Sequence, residues 1–176
     1  MNIFAITRLR EEYRDNTQNP VSNIGFNCDI SEESDIFKWK VNVFGPNDTP
    51  YKGGLFYITL KFSENYPFIP PKVTFDTPIY HINVKSRSDN NDDIGTPDLT
   101  ILKFWKPEYK VKDILVSIFS LFYMYKIESP CSLDMANELR NNKVLFKEKV
   151  KFFTNKYANP MNNHGIKTNW DFTYQH

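Results

Sequence analysis

The chain has 176 residues, 40% hydrophobic and 24% charged, with 22 basic against 21 acidic side chains and a formal net charge of +1. That length suits one domain with a substantial core, and the near balance of charge excludes a polybasic binder of nucleic acid or of an anionic membrane. Cys28 and Cys131 lie far apart with no CxxC or Cys/His spacing, so no disulfide framework or zinc site is expected, and a cytoplasmic protein, with the nucleus also open, is the default.

The first element is predicted from Ile3 to about Asp15. Phe4, Ile6, Leu9 and Tyr13 fall near one face and Arg8, Arg10, Glu11 and Glu12 elsewhere, as in an amphipathic helix ending before Pro20. Its start has no charged region ahead of the apolar run and no small-residue cleavage pattern, so it is not a secretory signal. Three strand-like runs follow, Ile24 to Ile30, Phe37 to Phe44 and Leu55 to Phe62. The second alternates Phe37, Trp39, Val41 and Val43, and the third places Phe56, Ile58, Leu60 and Phe62 opposite Leu55 and Tyr57. Between them Gly45-Pro46-Asn47-Asp48-Thr49-Pro50 and Gly53-Gly54 supply turn chemistry. Lys72 to Phe75 adds a fourth strand after Pro67, Pro70 and Pro71, and short connections favour an antiparallel meander. Helices are expected again only after residue 110. Val111 to Tyr125 reads as a central buried helix, too short and too interrupted by Ser117 and Ser120 to span a bilayer, so no membrane insertion is expected. Pro130 to Lys156 reads as one or two further helices, broken near Asn141-Asn142. Helix, sheet, then helices is the α+β class.

Tyr51-Lys52-Gly53-Gly54, then Tyr66-Pro67-Phe68-Ile69-Pro70-Pro71-Lys72-Val73-Thr74-Phe75, then Tyr80-His81-Ile82-Asn83 together resemble the signature of ubiquitin-conjugating (E2, UBC) domains. The similarity runs from the first helix to about Tyr157 and includes Gly45-Pro46, Trp105 with Pro107, and Ser129-Pro130. It implies a UBC fold over residues 1–159, a C-terminal extension over 160–176, and no cofactor. In such domains the turns equivalent to Phe68 and to Lys106-Pro107-Glu108 lie beside the first helix and engage E3 ligases, which implies Arg8, Phe68, Lys106 and Pro107 as partner-binding residues.

His81-Ile82-Asn83 resembles the family's His-Pro-Asn triplet, whose asparagine amide supports the oxyanion formed as a lysine attacks the thioester. The family's cysteine stands shortly before a Leu-Asp-Ile-Leu-like stretch, here Leu99-Thr100-Ile101-Leu102. Counting back places Asp98 at the cysteine position, or Pro97 after a slip of one residue. Neither offers a thiolate, and an acyl-carboxylate is a hydrolysis-prone anhydride. Without a thioester there is no oxyanion, so Asn83 is expected to tie loop backbone together and His81 to be a satisfied, partly buried histidine. Cys131 follows Ser129-Pro130 on the loop that flanks this groove in the family, which makes it the one alternative nucleophile. Glu128 and Asp134 beside it oppose thiolate formation. Cys28 is read as packing.

Three further features complete the reading. Asp89, Asn91 and Asp93 match the first positions of a calcium loop, but Ile94 stands where glycine is needed and Thr100 where glutamate is needed, so no metal site is expected. Trp170, Phe172 and Tyr174 alternate along an extended tail, expected to dock on its own domain rather than to augment an edge strand. Searches for a P-loop, GxSxG, GxGxxG or a basic stripe find nothing, so no nucleic acid is expected. E2-like domains without the cysteine form the ubiquitin E2 variants. Among these, Phe75-Asp76-Thr77-Pro78-Ile79-Tyr80-His81 and Gly95-Thr96-Pro97-Asp98-Leu99 are similar to the Fused Toes (AKT-interacting protein) group, which works with Hook-type coiled-coil adaptors. The resemblance therefore implies a non-catalytic interaction module whose partners are ubiquitin or a ubiquitin-like protein, an active E2, an E3 ligase or a Hook-type adaptor. The alternative is an atypical E2 working through Cys131 or with an active E2 partner.

Overall fold

Alternation along the strands decides the layering, because period-two side chains put every second residue on the covered face of a sheet. The computed structural model describes residues 3–19, 21, 26–30 by backbone alone, 35–86, 93–161, 170 and 172–174. Strands β1 (Phe26–Ile30), β2 (Lys38–Phe44), β3 (Leu55–Lys61) and β4 (Lys72–Phe75) form one sheet in the order β1-β2-β3-β4. All pairings are antiparallel, with Cys28 opposite Val41, Val41 opposite Ile58 and Leu60 opposite Val73. Trp39, Val41, Val43, Phe56, Ile58 and Leu60 are fully buried on the inner face. Gly45 is required where the β2–β3 connection folds on itself, since a Cβ there would sit 1.9 Å from the Tyr51 carbonyl oxygen.

Helices cover that inner face. Helix α1 (Ile3–Gln18) precedes the sheet, and α2 (Thr100–Lys103), α3 (Val111–Leu121), α4 (Leu133–Asn141) and α5 (Lys143–Tyr157) follow it. Val111, Ile114, Leu115, Ile118 and Leu121 of α3 all face the core, as its sequence predicts. Ser132 caps α4 by accepting the Met135 N–H (3.3 Å), and Asn142 caps α5 by accepting the Leu145 N–H (3.0 Å), which places the break between the last helices at Asn142. The α+β architecture with an N-terminal helix, a four-stranded meander and a buried central helix is the expected one. No helix among the described residues is long and apolar enough to cross a membrane.

Four details correct the sequence reading. Helix α3 stops at Leu121 rather than Tyr125, because the Leu121 carbonyl is engaged by His81 and the chain turns with Phe122 N–H donating to Phe119 O (3.1 Å). A one-turn helix, α2, appears before residue 110; a single turn is too short to leave a periodic signature. Helix α1 runs three residues past Asp15, to Gln18. Its buried stripe is Ala5, Leu9, Glu12 and Asn16, and Phe4 is exposed. Glu12 is buried because it has donors on three sides: Arg8, the Tyr66 hydroxyl (2.8 Å) and the Val111 N–H (2.7 Å).

In the tail, Trp170, Phe172 and Tyr174 pack against the core. Phe172 meets Phe153 with ring centroids 4.9 Å apart, Tyr174 meets Phe152 at 5.2 Å, and Trp170 lies against Gly95. The side chain of Cys28, and Asp89 and Asn91 of the acidic loop, lie outside the described residues. Asp93 faces Lys85 (3.4 Å) and Lys72 (3.9 Å).

Candidate functional site: a lysine-rimmed groove at Asp98

The groove begins where two backbone segments cross. Val84 bridges Pro97, Lys85 N–H donates to Thr96 O (3.0 Å), Gly95 N–H returns to Lys85 O (2.7 Å), and Asp98 N–H donates to Asn83 O (2.8 Å). Gly95 sits at φ +85° and a Cβ there would lie 2.3 Å from the Phe75 carbonyl oxygen, so the turn that delivers Asp98 needs glycine. These bonds fix Asp98 directly beside Asn83.

Behind Asp98 lies a fully satisfied polar clip. His81 and Asn83 are completely buried. His81 Nδ1 accepts the Asn83 N–H (2.9 Å), which leaves the ring proton on Nε2 to be donated to Leu121 O (2.8 Å). Burial pushes the His81 pKa down to about 4 against the opposing pull of Leu121, so the ring is neutral at physiological pH. Asn83 donates both amide hydrogens, to Lys126 O (3.0 Å) and Ser129 O (3.3 Å), and accepts the Lys126 N–H (2.8 Å). The side chain thereby clips the 126–129 segment to the 81–84 segment and points no free donor toward the groove.

In front of the clip, Lys85, Thr96, Asp98, Leu102, Lys103 and Cys131 line an open groove of about 620 Å³. The Asp98 side chain is only 9% exposed, and Lys103 Nζ stands 2.6 Å from its Oδ1. That contact is ionic without hydrogen-bond alignment, for Asp98 Oδ1 and Thr96 Oγ1 are buried atoms with no hydrogen-bond partner among the described residues. Lys126 Nζ reaches Thr100 Oγ1 (2.5 Å) and the Asp98 carbonyl (3.3 Å). Cys131 is held by its N–H to Ile82 O (2.6 Å) and is exposed at the rim. Desolvation of the sulfur against the groove wall, then the Asp98 carboxylate, push its thiol pKa up; Lys85, Lys103 and Lys126 pull the other way and do not prevail.

The residues singled out for partner binding lie along α1. Phe68 is 67% exposed and stacks on Phe4 with centroids 6.1 Å apart, and Lys106 and Pro107 are exposed. Arg8 instead turns inward. It pairs with Glu12 and donates to Tyr109 O (3.0 Å) and Pro107 O (3.3 Å), pinning the turn that carries Lys106 and Pro107 to the helix. Sequence reasoning missed the lysine rim around Asp98. Lys103, one turn of α2 away, was the single local hint; Lys85 and Lys126 arrive from distant segments.

Comparison with known proteins places the chain in one family. The ubiquitin-conjugating enzyme family model matches residues 8–154. The chain is 34% identical over 152 residues to ubiquitin-conjugating enzyme E2 15 of Schizosaccharomyces pombe, covering 81% of this chain and 89% of that protein. It is 35% identical over 158 residues to ubiquitin-conjugating enzyme E2 13 of Arabidopsis thaliana, covering 85% and 93%. A probable ubiquitin-conjugating enzyme E2 31 of the same plant is 34% identical over 157 residues, covering 88% and 94%.

Proposed function

The chain belongs to the ubiquitin-conjugating enzyme family, and within it we propose that it acts as a non-catalytic interaction module, a ubiquitin E2 variant that keeps the family's surfaces without its acyl transfer. The carrying observation is the groove itself, which offers a buried carboxylate, Asp98, paired with Lys103 beside Asn83. Acyl transfer through this family's mechanism needs sulfur at the loading point, because a thioester survives in water long enough to be attacked by a lysine and a carboxylic anhydride does not. The Asn83 amide, engaged on both hydrogens, serves the loop rather than a developing oxyanion. Partners of this reading are ubiquitin or a ubiquitin-like protein, an active E2, and an E3 ligase meeting Phe68, Lys106 and Pro107. A Fused Toes-like role with a Hook-type coiled-coil adaptor is its trafficking branch, and both branches are cytoplasmic.

The relatives carry the names of conjugating enzymes, so a second reading has support: charging on Cys131. Cys131 lines the same groove as Asp98, and the residue is exposed at the rim, although its sulfur lies partly desolvated against the wall. Its raised pKa works against that reading, since the thiolate is the nucleophile. Incubation with E1, ATP and ubiquitin followed by a non-reducing gel separates the two. No adduct is expected. A reductant-sensitive band that disappears in Cys131→Ser overturns the non-catalytic reading.

A further inference from the structure

A second cavity, of about 500 Å³, lies between the β2–β3 connection and α5 and shares no lining residue with the Asp98 groove. One wall is a row on α5: Lys147, Lys151 and Asn155 stand four residues apart and are exposed, while Phe146, Val150 and Phe153 of the same helix are buried. The facing wall carries Asn47, Asp48 and Lys52. The two walls are held at fixed separation. Leu55 N–H donates to Ala158 O (2.7 Å), and Gly54 is so close to Thr154 that a Cβ there would come within 2.7 Å of its methyl; within the connection itself, Thr49 Oγ1 donates to Pro46 O (2.9 Å).

The charges of this cleft are uncompensated. Among the described residues none of Lys52, Lys147 and Lys151 stands within ion-pair distance of a carboxylate. Among the described residues the only acid lining the cleft, Asp48, accepts the Tyr123 hydroxyl at 3.0 Å. Like charges four apart on a helix repel one another, so the cleft carries a local cost that an anionic guest removes. Lys147 and Lys151 are separated by about 6 Å along the helix axis at about 1.5 Å per residue. Alternate side chains of an extended peptide are about 6.6 Å apart on one face, which matches that spacing.

We propose that this cleft binds an extended acidic peptide segment of a partner protein, with anionic groups on alternate residues seated at Lys147 and Lys151 and Lys52 closing from the facing wall. A nucleic acid fits poorly, because among the described residues no aromatic side chain lines the cleft to stack a base. The site stands whether or not Asp98 proves catalytically silent. Its anion is a carboxylate or a phosphoryl group, and two probes distinguish them: a fluorescent peptide of alternating glutamate and serine, and the same length of alternating phosphoserine and alanine.

Fluorescence anisotropy with the full chain is the test. Binding that weakens as salt rises from about 50 to about 200 mM is expected. Lys151→Glu is expected to lower affinity about tenfold, while Lys61→Glu, an equal charge change on the sheet, lowers it less than about twofold. Binding of both peptides assigns carboxylates as sufficient, and binding of the phosphopeptide alone assigns phosphoryl groups; either supports the site. All these lysines are exposed, and matched unfolding midpoints confirm that the variants are folded. Failure of both peptides to bind at low salt, or equal losses in Lys151→Glu and Lys61→Glu, overturns the proposal.

Discussion

The clip at His81 and Asn83 and the groove at Asp98 and Cys131 are joined by backbone hydrogen bonds, from Asp98 N–H to Asn83 O and from Cys131 N–H to Ile82 O, yet they are built on opposite terms. In the clip every described polar group is paired: two ring nitrogens, an amide oxygen and two amide hydrogens all meet backbone groups. In the groove, charge outnumbers directed bonds, with Asp98 Oδ1 unaligned, Lys103 largely exposed and Cys131 at the rim. The first arrangement determines whether the loop holds its shape. The second determines what the loop can do, and it can change with little effect on the fold. Architecture and chemistry can therefore vary separately at such a site, because the two reside in different residues.

Among substitutions, that contrast is broken most severely by Asn83→Ala. It leaves the Lys126 N–H and the carbonyls of Lys126 and Ser129, all partly buried, without their partner and empties a fully buried side-chain site, and a loss of about 2 kcal/mol in urea unfolding is expected. A loss under about 1 kcal/mol would show that water or loop movement replaces the clip.

Acid acts on the same clip through His81. Its folded pKa is about 4, below the ordinary value of 6.5, so between these values the unfolded chain binds a proton that the folded chain refuses. The stability from the neutral ring is therefore complete above about pH 6.5 and is lost as pH falls toward 4, by about 3 kcal/mol in all. Urea midpoints measured across that range are expected to fall less steeply in His81→Gln, whose side chain does not titrate. Parallel pH profiles for the two proteins would assign the acid sensitivity to other groups.

The groove gives the smallest effects. Asp98→Asn removes half of a pair whose lysine is 58% exposed, so unfolding stability is expected to change by less than about 1 kcal/mol. Its consequence falls on the neighbouring sulfur instead. With the carboxylate gone, one cause of the raised Cys131 pKa disappears and the three lysines remain, so alkylation by iodoacetamide near pH 8 is expected to quicken about two- to fivefold. An unchanged rate would mean that desolvation alone governs this thiol.

The parts of the molecule that were legible in advance share one property: the information is local. The alternation of Trp39, Val41 and Val43, the predominantly apolar run of Ile114 through Leu121, and the turn residues at Gly45-Pro46 each act within a few residues of themselves. Glu12 escaped because its burial depends on Tyr66 and Val111, which reach it from far along the chain. The end of α3 escaped because it is decided by a ring forty residues upstream, and Phe4, apolar at a helical spacing, ended in solvent against Phe68.

The sequence by itself determined the strand alternation, the buried central helix, the family signature and the carboxylate before Leu99, since these depend on residue type and short spacing. Tertiary structure alone decided that Lys85, Lys103 and Lys126 gather around Asp98 and Cys131, which backbone groups the Asn83 amide meets, and that Lys52 stands opposite Lys147 and Lys151. The reason is physical: electrostatic influence and hydrogen-bond saturation depend on distance through space, and residues remote in the chain come within that distance only when hydrophobic burial folds the chain around its core.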